Sequence, residues 1–190
     1  MKIKIGVIIA STRPVRLGPS VAKWFLSQID TPDNVEIEVI DLAKINLPFL
    51  NEPNQPADAK YENESTKKWS QTVDNLDGFI FVIPEYNHGY PAPLKNALDT
   101  IYKEWRKKPV AFVGYGVLGA ARSIDHLIPA LAQIGLVSLP YVAINIINAE
   151  NSIDSSGNIK PDSIKGSKPS RLLEELIWWT KLLKTARTET

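Results

Sequence analysis

The sequence has no cysteine among its 190 residues. This absence excludes disulfides, thiolate metal sites, iron–sulfur clusters and cysteine nucleophiles. The sequence also lacks any apolar run close to the ~20 residues that a membrane-spanning helix needs. The apolar run at residues 3–10 is short and no small-residue cleavage pattern follows it, so we interpret it as a buried strand rather than a signal peptide. These features favour a soluble protein of the reducing cytoplasm.

An excess of charge of either sign is missing as well. The chain carries 22 basic and 21 acidic residues, which gives a formal net charge of +1. This balance gives no reason to expect nucleic acid, an acidic membrane surface or a polyanion as partner, and it favours small molecules. A chain of this length is expected to form a single domain spanning residues 1–190.

The chain does contain five short runs rich in Val, Ile and Phe, at residues 3–10, 35–40, 78–83, 109–115 and 137–144. Segments with apolar residues at helical spacing separate these runs. Strands that are apolar on both faces and alternate with amphipathic helices indicate a parallel sheet covered on both sides. The predicted fold is therefore α/β, a three-layer α/β/α sandwich whose five-stranded parallel sheet has the doubly wound, flavodoxin-like order 2-1-3-4-5.

Helical spacing predicts helices at residues 21–29, 94–105, 121–134 and 172–183. Pro129 lies inside the third of these and has no N–H to donate to Asp125, so this helix is predicted to kink or split. Two segments interrupt the alternation: residues 48–65, with three prolines, and residues 145–168, rich in Asn, Ser, Asp and Gly. Both are predicted to be surface loops.

The loop after the first strand, residues 10–20, collects hydroxyl groups, backbone N–H groups and two arginines at a helix that begins near Gly18. A helix N-terminus attracts an anion, and arginine adds charge-assisted hydrogen bonds to phosphate oxygens, so a phosphate monoester is indicated. The alternative is that Ser20 caps the helix and that the arginines are solvated charges. The chain has no G-x-x-x-x-G-K-[ST] or G-x-G-x-x-G pattern. A phosphatase of similar topology would need a cysteine in this loop.

The loops after the third and fourth strands, Pro-Glu-Tyr-Asn-His-Gly-Tyr-Pro-Ala-Pro at 84–93 and Gly-Tyr-Gly-Val-Leu-Gly-Ala at 114–120, are expected at the same edge of the sheet. The tyrosines and His88 provide planar side chains that suit an aromatic ring, and Asn87 can donate and accept at a pyrimidine-like edge. Glycines let a backbone approach a flat ring closely. The alternatives are a rigid connector and a plain strand-to-helix turn. For His88, an ordinary loop histidine is favoured over a proton donor, and His126 is a weaker candidate still.

Together the three loops resemble those of the NADPH-dependent FMN reductase family, which includes quinone, azo-dye and chromate reductases. The resemblance covers about residues 3–131 and continues more weakly to the end of the sequence. It is carried by Ser-Thr-Arg-Pro-Val-Arg-Leu-Gly at 11–18, by residues 61–69, and above all by Pro-Glu-Tyr-Asn-His-Gly-Tyr-Pro-Ala-Pro-Leu-Lys-Asn-Ala-Leu-Asp at 84–99.

The resemblance implies FMN as cofactor and NADPH or NADH as electron donor, with flavin N5 carrying the hydride and neither a catalytic side chain nor a metal. The residues it implies for the FMN phosphate are Ser11, Arg13, Arg16, Gly18 and Ser20. Those implied to line the isoalloxazine and ribityl chain are Pro84, Glu85, Tyr86 and Asn87, and those bordering the ring are Gly114, Tyr115 and Gly116.

The activity implied is that of an NAD(P)H oxidoreductase that passes hydride through bound FMN to small acceptors such as quinones, free flavin, azo compounds or metal oxyanions. The resemblance also implies a homodimer, with a tetramer as the alternative, and a contribution of the helix 94–105 to the interface. Two departures stand out: Ala10 replaces a glycine common in similar proteins, and Val117 and Leu118 make the third loop bulkier. We expect the bulkier loop to narrow acceptor access or to weaken the flavin site.

Two other functions are compatible with the same fold. One is a non-catalytic electron carrier or a redox-sensing FMN-binding protein. Carriers that dock on basic partners need a strongly acidic face, which the balanced charge argues against. The other is an enzyme for which FMN is a loosely held substrate.

Overall fold

The computed structural model describes residues 1–189 and contains one central sheet. Its strands are β1 (Ile3–Ile9), β2 (Val35–Asp41), β3 (Gly78–Pro84), β4 (Pro109–Gly116), β5 (Val137–Ser138), β6 (Ile144–Ile147) and β7 (Ile164–Gly166). The order across the sheet is β2-β1-β3-β4-β6-β7, and β5 also pairs with β4. All pairs are parallel except that of β6 with β7. The predicted α/β class and the order of the first four strands are confirmed.

Helices cover both faces of this sheet. They are α1 (Gly18–Ser27), α2 (Leu42–Ile45), α3 (Glu64–Asp74), α4 (Ala92–Asp99), α5 (Ala121–Gln133), α6 (Ala149–Ser152) and α7 (Pro169–Thr188). α1 and α7 pack on one face through Phe25 and Leu176, whereas α3, α4 and α5 pack on the other through Trp69, Leu98 and Leu127. The layers are therefore arranged as predicted, with one apolar core on each side of the sheet. No helix within residues 1–189 combines the length and apolar character required to cross a bilayer.

β5 and β6 together occupy the place of the single fifth strand predicted at residues 137–144, so that prediction was wrong in its boundaries. β5 pairs with the start of β4, and β6 pairs with its end. Between them a 3-10 turn covers Pro140–Val142. Because proline has no N–H to donate, a continuous strand ladder cannot pass through Pro140.

The segment 145–168 is not the surface loop that its composition predicts. It includes most of β6, all of α6, and β7, which pairs antiparallel with β6 at the edge of the sheet. Covering an edge strand in this way protects its backbone groups from pairing with another chain. The segment 48–65 is largely irregular as predicted, but it contains a 3-10 turn at Pro56–Asp58, and its last two residues belong to α3.

α4 ends at Asp99, well before the predicted end of this helix. Side chains form hydrogen bonds with backbone N–H and carbonyl groups that a longer helix would pair with each other. The indole N–H of Trp105 donates to the carbonyl of Leu98 at 3.2 Å, and the N–H of Tyr102 donates to the carboxylate of Glu104 at 3.2 Å. The helical spacing of apolar residues shows which face of a helix is buried, but it does not show whether side chains compete for the backbone hydrogen bonds of that helix.

α5 is continuous, so it does not split at Pro129, which was one of the two predicted outcomes. Asp125 and Pro129 both lie on the exposed side of the helix. The Asp125 carbonyl, which Pro129 leaves without an N–H donor, is therefore open to water, and the helix tolerates the proline.

Candidate functional site

The carboxyl ends of the parallel strands meet at one edge of the sheet, where doubly wound proteins bind their ligands. A cleft with a volume of about 330 Å³ lies at this edge. Four segments of the chain line this cleft. Their lining residues are Arg13, Val15, Arg16 and Leu17 from the first, Pro84, Glu85 and Tyr86 from the second, Tyr115 and Gly116 from the third, and Ala149 and Glu150 from the fourth. The fold therefore brings together the three loops that the sequence singles out.

Gly18, the first residue of α1, is buried and leaves space for the polar groups around it. A Cβ atom at this position would collide with Ser11 Oγ, and it would lie 2.8 Å from Ile9 Cγ2 and 3.0 Å from the Tyr115 hydroxyl oxygen. Leu17 is the N-cap residue, and no side chain in the described part of the chain caps the helix. Pro19 has no N–H and the Val21 N–H donates to the Leu17 carbonyl, so the N–H groups that the first turn offers to an anion are those of Ser20 and, beside the Tyr115 hydroxyl, of Gly18.

Ser20 lies in the first turn of α1 and does not cap it, so the capping alternative was wrong. It lies next to Gly157, whose Cβ atom, if present, would be 3.7 Å from Ser20 Oγ. Ser20 does not line the cleft, and the same holds for Ser11, Gly18, Asn87 and Gly114. Of these five, Ser11 and Gly18 are buried beside the Tyr115 hydroxyl, immediately next to the lining.

Buried polar atoms without a partner are concentrated at this cleft. Within residues 1–189, six buried side-chain nitrogen or oxygen atoms make no hydrogen bond, and four of them are Ser11 Oγ, Arg16 Nε, Glu85 Oε2 and the Tyr115 hydroxyl. Such atoms are rare in folded proteins, and each costs about 1–3 kcal/mol. Burial also raises the pKa of Tyr115, so its hydroxyl keeps its proton and can donate. A ligand that offers matching acceptors and donors would satisfy these atoms.

The two arginines of the first loop are placed differently. Arg16 is half-buried, with Nη2 2.6 Å from Asp41 Oδ2 and Nη1 donating to the carbonyl of Arg13 at 3.3 Å. This anchoring fixes the guanidinium and leaves Nε as its unpaired donor. The side chain of Arg13 is exposed at the wall of the cleft and supplies positive charge there.

The second loop contains a tight hairpin turn. Tyr86 and Gly89 exchange two backbone hydrogen bonds of 3.0 Å, and the two residues between them, Asn87 and His88, have φ angles of 51° and 68°. Two consecutive positive φ angles define a type I′ turn, in which asparagine is favoured. The turn places Tyr86 on the wall of the cleft and the Asn87 side chain at its exposed tip.

Glu85 is held by Arg122, a residue of α5 that the sequence reasoning did not identify. Arg122 Nε donates to Glu85 Oε1 at 2.6 Å, and Arg122 Nη2 bonds to the same oxygen. Burial raises the pKa of Glu85, but the hydrogen bonds and positive charge of Arg122 outweigh it and hold this pKa below its ordinary value. His88 Nε2 lies 2.7 Å from Arg122 Nη1, so it is the acceptor when Arg122 donates.

In the third loop, the three predicted residues have different positions. Gly114 faces away from the cleft, since a Cβ atom there would collide with the carbonyl of Gly119 in the following turn. Tyr115 and Gly116 line the cleft; Gly116 has a φ of 147° and faces Glu85, with its virtual Cβ 3.7 Å from the Glu85 Cβ. Val117 and Leu118 do not line the cleft, and their exposed fractions are 76% and 49%.

Two lining residues come from the segment that was predicted to be a surface loop. Ala149 and Glu150 begin α6 directly after β6, and the pairing of β6 with the end of β4 brings them to the cleft. No local sequence signal marks them. Arg122 likewise belongs to no motif, because its role depends on a carboxylate 37 residues away in the sequence.

These features fit a ligand with a phosphate at one end and a ring system at the other. The Ser11 hydroxyl, Arg16 Nε and the uncapped α1 are donors suited to a phosphate, whereas Glu85 Oε2 is an acceptor for a donor on the remainder of the ligand. A doubly wound sheet with such a cleft at its carboxyl edge defines a flavodoxin-like nucleotide-binding protein. The model of the NADPH-dependent FMN reductase family matches residues 3–151, and the chain belongs to this family.

Two curated relatives are similar over most of their length. An NAD(P)H-dependent FMN reductase of Saccharomyces cerevisiae is 36% identical over 155 residues, which is 76% of this chain and 81% of the relative. A 2-hydroxy-1,4-benzoquinone reductase of Burkholderia is 30% identical over 166 residues, which is 84% of this chain and 86% of the relative.

Among solved structures, FerB, a flavoenzyme NAD(P)H:(acceptor) oxidoreductase of Paracoccus denitrificans, is similar in fold, with a TM-score of 0.69 and 22% identity over 96% of this chain and 98% of that one. Family membership makes the protein an NAD(P)H-dependent oxidoreductase with FMN as cofactor and NADH or NADPH as electron donor. The predicted enzymatic function is thus confirmed over that of a non-catalytic electron carrier.

Proposed function

We propose that the cleft binds FMN with its phosphate at the first loop and its ring between the second and third loops, and that electrons from NADPH or NADH pass through it to small acceptors. The observation that carries this assignment is the set of four unpartnered buried atoms, on Ser11, Arg16, Glu85 and Tyr115. Three of them belong to residues that line one cleft, and Ser11 is buried immediately beside it; together they combine donors at the α1 end with an acceptor at the Glu85 end.

At the phosphate end, Ser11 Oγ, Arg16 Nε and the first N–H groups of α1 donate to phosphate oxygens, and Arg13 adds charge at the surface. Asp41 contributes indirectly, because its ion pair fixes the Arg16 guanidinium. Gly18 keeps this space open. Ser20, which lies outside the lining, acts through the packing of α1 against Gly157.

At the ring end, Pro84, Tyr86 and Gly116 form the walls, and the type I′ turn holds Tyr86 in place. When bound, FMN supplies the chemistry, accepting a pair of electrons from the nicotinamide and passing them on. The protein contributes binding and orientation: the tyrosine rings shape the cleft, and Glu85 accepts a hydrogen bond from the ligand.

The acceptors we propose are quinones, free flavin, azo compounds and metal oxyanions, with quinones supported by the benzoquinone reductase among the relatives. We also propose a single-domain, cytoplasmic protein that forms a homodimer. The apolar surface beside α4 supports the dimer: Phe49 is 81% exposed, and with Ala92, Pro93 and Asn96 it lines a second cleft of about 320 Å³.

The proposed function is tested by an anaerobic visible spectrum of the protein after FMN addition and desalting, followed by titration with NADPH and NADH. We expect retained flavin absorbance that at least one nucleotide bleaches, because the cleft binds FMN and admits the nicotinamide. Retained flavin that neither nucleotide bleaches would contradict the enzymatic part of the proposal. Absence of retained flavin would show that FMN is a substrate rather than a resident cofactor.

Arg13→Ala is expected to weaken FMN binding about tenfold, because a charge-assisted hydrogen bond to phosphate is lost. Riboflavin, which has no phosphate, should bind the variant and the wild type equally. The measurement is quenching of flavin fluorescence on titration with protein. Arg171→Ala is the matched control, since Arg171 is an exposed arginine of α7 outside the cleft. Equal losses for FMN and riboflavin would rule out the phosphate contact.

A further inference from the structure

The ion pair of Arg122 with Glu85 is built asymmetrically. Both bonding nitrogens of Arg122, Nε and Nη2, contact the same carboxylate oxygen, Oε1. The other oxygen, Oε2, is buried and has no hydrogen-bond partner within residues 1–189. Only 6% of the Glu85 side chain is exposed, compared with 36% of the Arg122 side chain.

An arginine that neutralises a buried carboxylate commonly bonds to both of its oxygens in a fork. Here one oxygen is left for another donor, in a residue that lines the cleft. Because a charged, desolvated acceptor makes strong hydrogen bonds and is costly when unpaired, Oε2 is suited to a donor on a bound ligand.

We propose that Arg122 is a positioning residue for the flavin site, which holds the Glu85 carboxylate so that Oε2 accepts a hydrogen bond from a donor on the flavin. This inference rests on the proposed function, since it takes FMN as the occupant of the cleft. Arg122 itself contacts the carboxylate and His88, and it is not among the residues that line the cleft.

The groups that face Glu85 can be named from each neighbouring element. From α5 these are the Arg122 guanidinium and the backbone N–H groups of Arg122 and Ser123; the two N–H groups approach the carboxylate and favour its ionised form, but neither completes a hydrogen bond to Oε2. From the other walls of the cleft, the titratable or charged side chains are Arg13, Arg16, Tyr86, Tyr115 and Glu150. Arg122 is the one side chain in the described residues that forms a salt bridge with Glu85.

Removing the Arg122 charge is therefore expected to let Glu85 take up a proton at a higher pH, because burial then opposes ionisation with less compensation. A protonated carboxyl group is a weaker acceptor. FMN affinity in Arg122→Gln should fall as the pH is lowered, in a range where the wild-type carboxylate stays ionised.

The experiment measures the FMN dissociation constant of Arg122→Gln and of the wild type from about pH 5.5 to about pH 8.5. At each pH the constant of the variant is divided by that of the wild type. The ratio removes the titration of the FMN phosphate, which has its own pKa near 6 and affects both proteins alike. We expect a ratio of about 1–3 at the upper end and about ten times that value at the lower end, as protonation removes one charged hydrogen bond.

Three further variants make the test specific. Glu85→Gln/Arg122→Gln should give a ratio that changes less with pH than that of Arg122→Gln, because the titrating carboxyl is gone while His88, which lies 2.7 Å from Arg122 Nη1 in the wild type, is present in both variants. Arg122→Lys keeps the positive charge, and it tests the proposal even if Arg122→Gln does not fold. Its FMN dissociation constant should lie between those of the wild type and Arg122→Gln at low pH. Arg187→Gln removes an arginine from an ion pair with Asp77, remote from the cleft. The ratio of its FMN dissociation constant to that of the wild type should be near 1 at every pH.

A ratio for Arg122→Gln that is independent of pH would overturn the inference while leaving the proposed function intact. The same holds if the double variant keeps the pH dependence of the single one. Failure of the wild type to bind FMN at any pH would overturn the proposed function and the inference with it.

Discussion

Gly18→Ala is expected to raise the FMN dissociation constant between about tenfold and about a hundredfold, since the displaced polar side chains lose a hydrogen bond to the charged phosphate worth roughly 1.5–3 kcal/mol. The added methyl would collide with Ser11 Oγ and approach Ile9 Cγ2 to 2.8 Å and the Tyr115 hydroxyl to 3.0 Å. Ile9 belongs to the buried end of β1 and has little room to move, so the polar side chains must shift. Those side chains hold two of the unpartnered atoms of the cleft.

The measurement is a flavin-fluorescence titration, with urea unfolding monitored in parallel. Gly89→Ala is the matched control: it lies in the second loop, its Cβ would have only the Tyr86 carbonyl within 4 Å, at 3.8 Å, and its φ is not positive. We expect the control to leave the urea midpoint unchanged. Wild-type FMN affinity in a folded Gly18→Ala protein would show that this space is not used by the phosphate.

Glu104→Ala is expected to lower the free energy of unfolding by about 3–5 kcal/mol, because a buried carboxylate with several partners is removed and a cavity is left. Only 1% of Glu104 is exposed. Its oxygens accept hydrogen bonds from Ser70 Oγ at 2.7 Å, from the Tyr61 hydroxyl at 3.0 Å and from the Tyr102 N–H at 3.2 Å. These bonds connect the segment before α3, α3 itself and the segment that follows α4.

Urea unfolding followed by far-UV circular dichroism checks this expectation. Glu104→Gln should lose less stability, since the amide oxygen still accepts, and Glu174→Ala on the exposed side of α7 should change the midpoint little. A loss for Glu104→Ala as small as that of Glu174→Ala would mean that the buried network contributes nothing. Tyr61 participates through its protonated hydroxyl, because burial and the charge of Glu104 raise its pKa.

The predictions that succeeded are those for which the signal is contiguous in the chain. β1, β3 and β4 are continuous apolar runs, and the loops that follow them supply most of the lining of the cleft. The predictions that failed concern boundaries decided by other parts of the chain. α4 ends where the side chains of Glu104 and Trp105 form hydrogen bonds with backbone groups, and β5 and β6 are separated by the turn at Pro140.

By itself, the sequence determined the fold class, the order of the first four strands, the family and the three loops of the site, because each depends on local apolar patterning or on a short motif. The tertiary structure alone decided which atoms of those loops are unsatisfied and which residues hold them. Arg16 is fixed by Asp41, 25 residues away, and Glu85 by Arg122, 37 residues away. Such pairs form only when separate strands and helices pack side by side, and their energy comes from burial and charge, which no local spacing in the chain encodes.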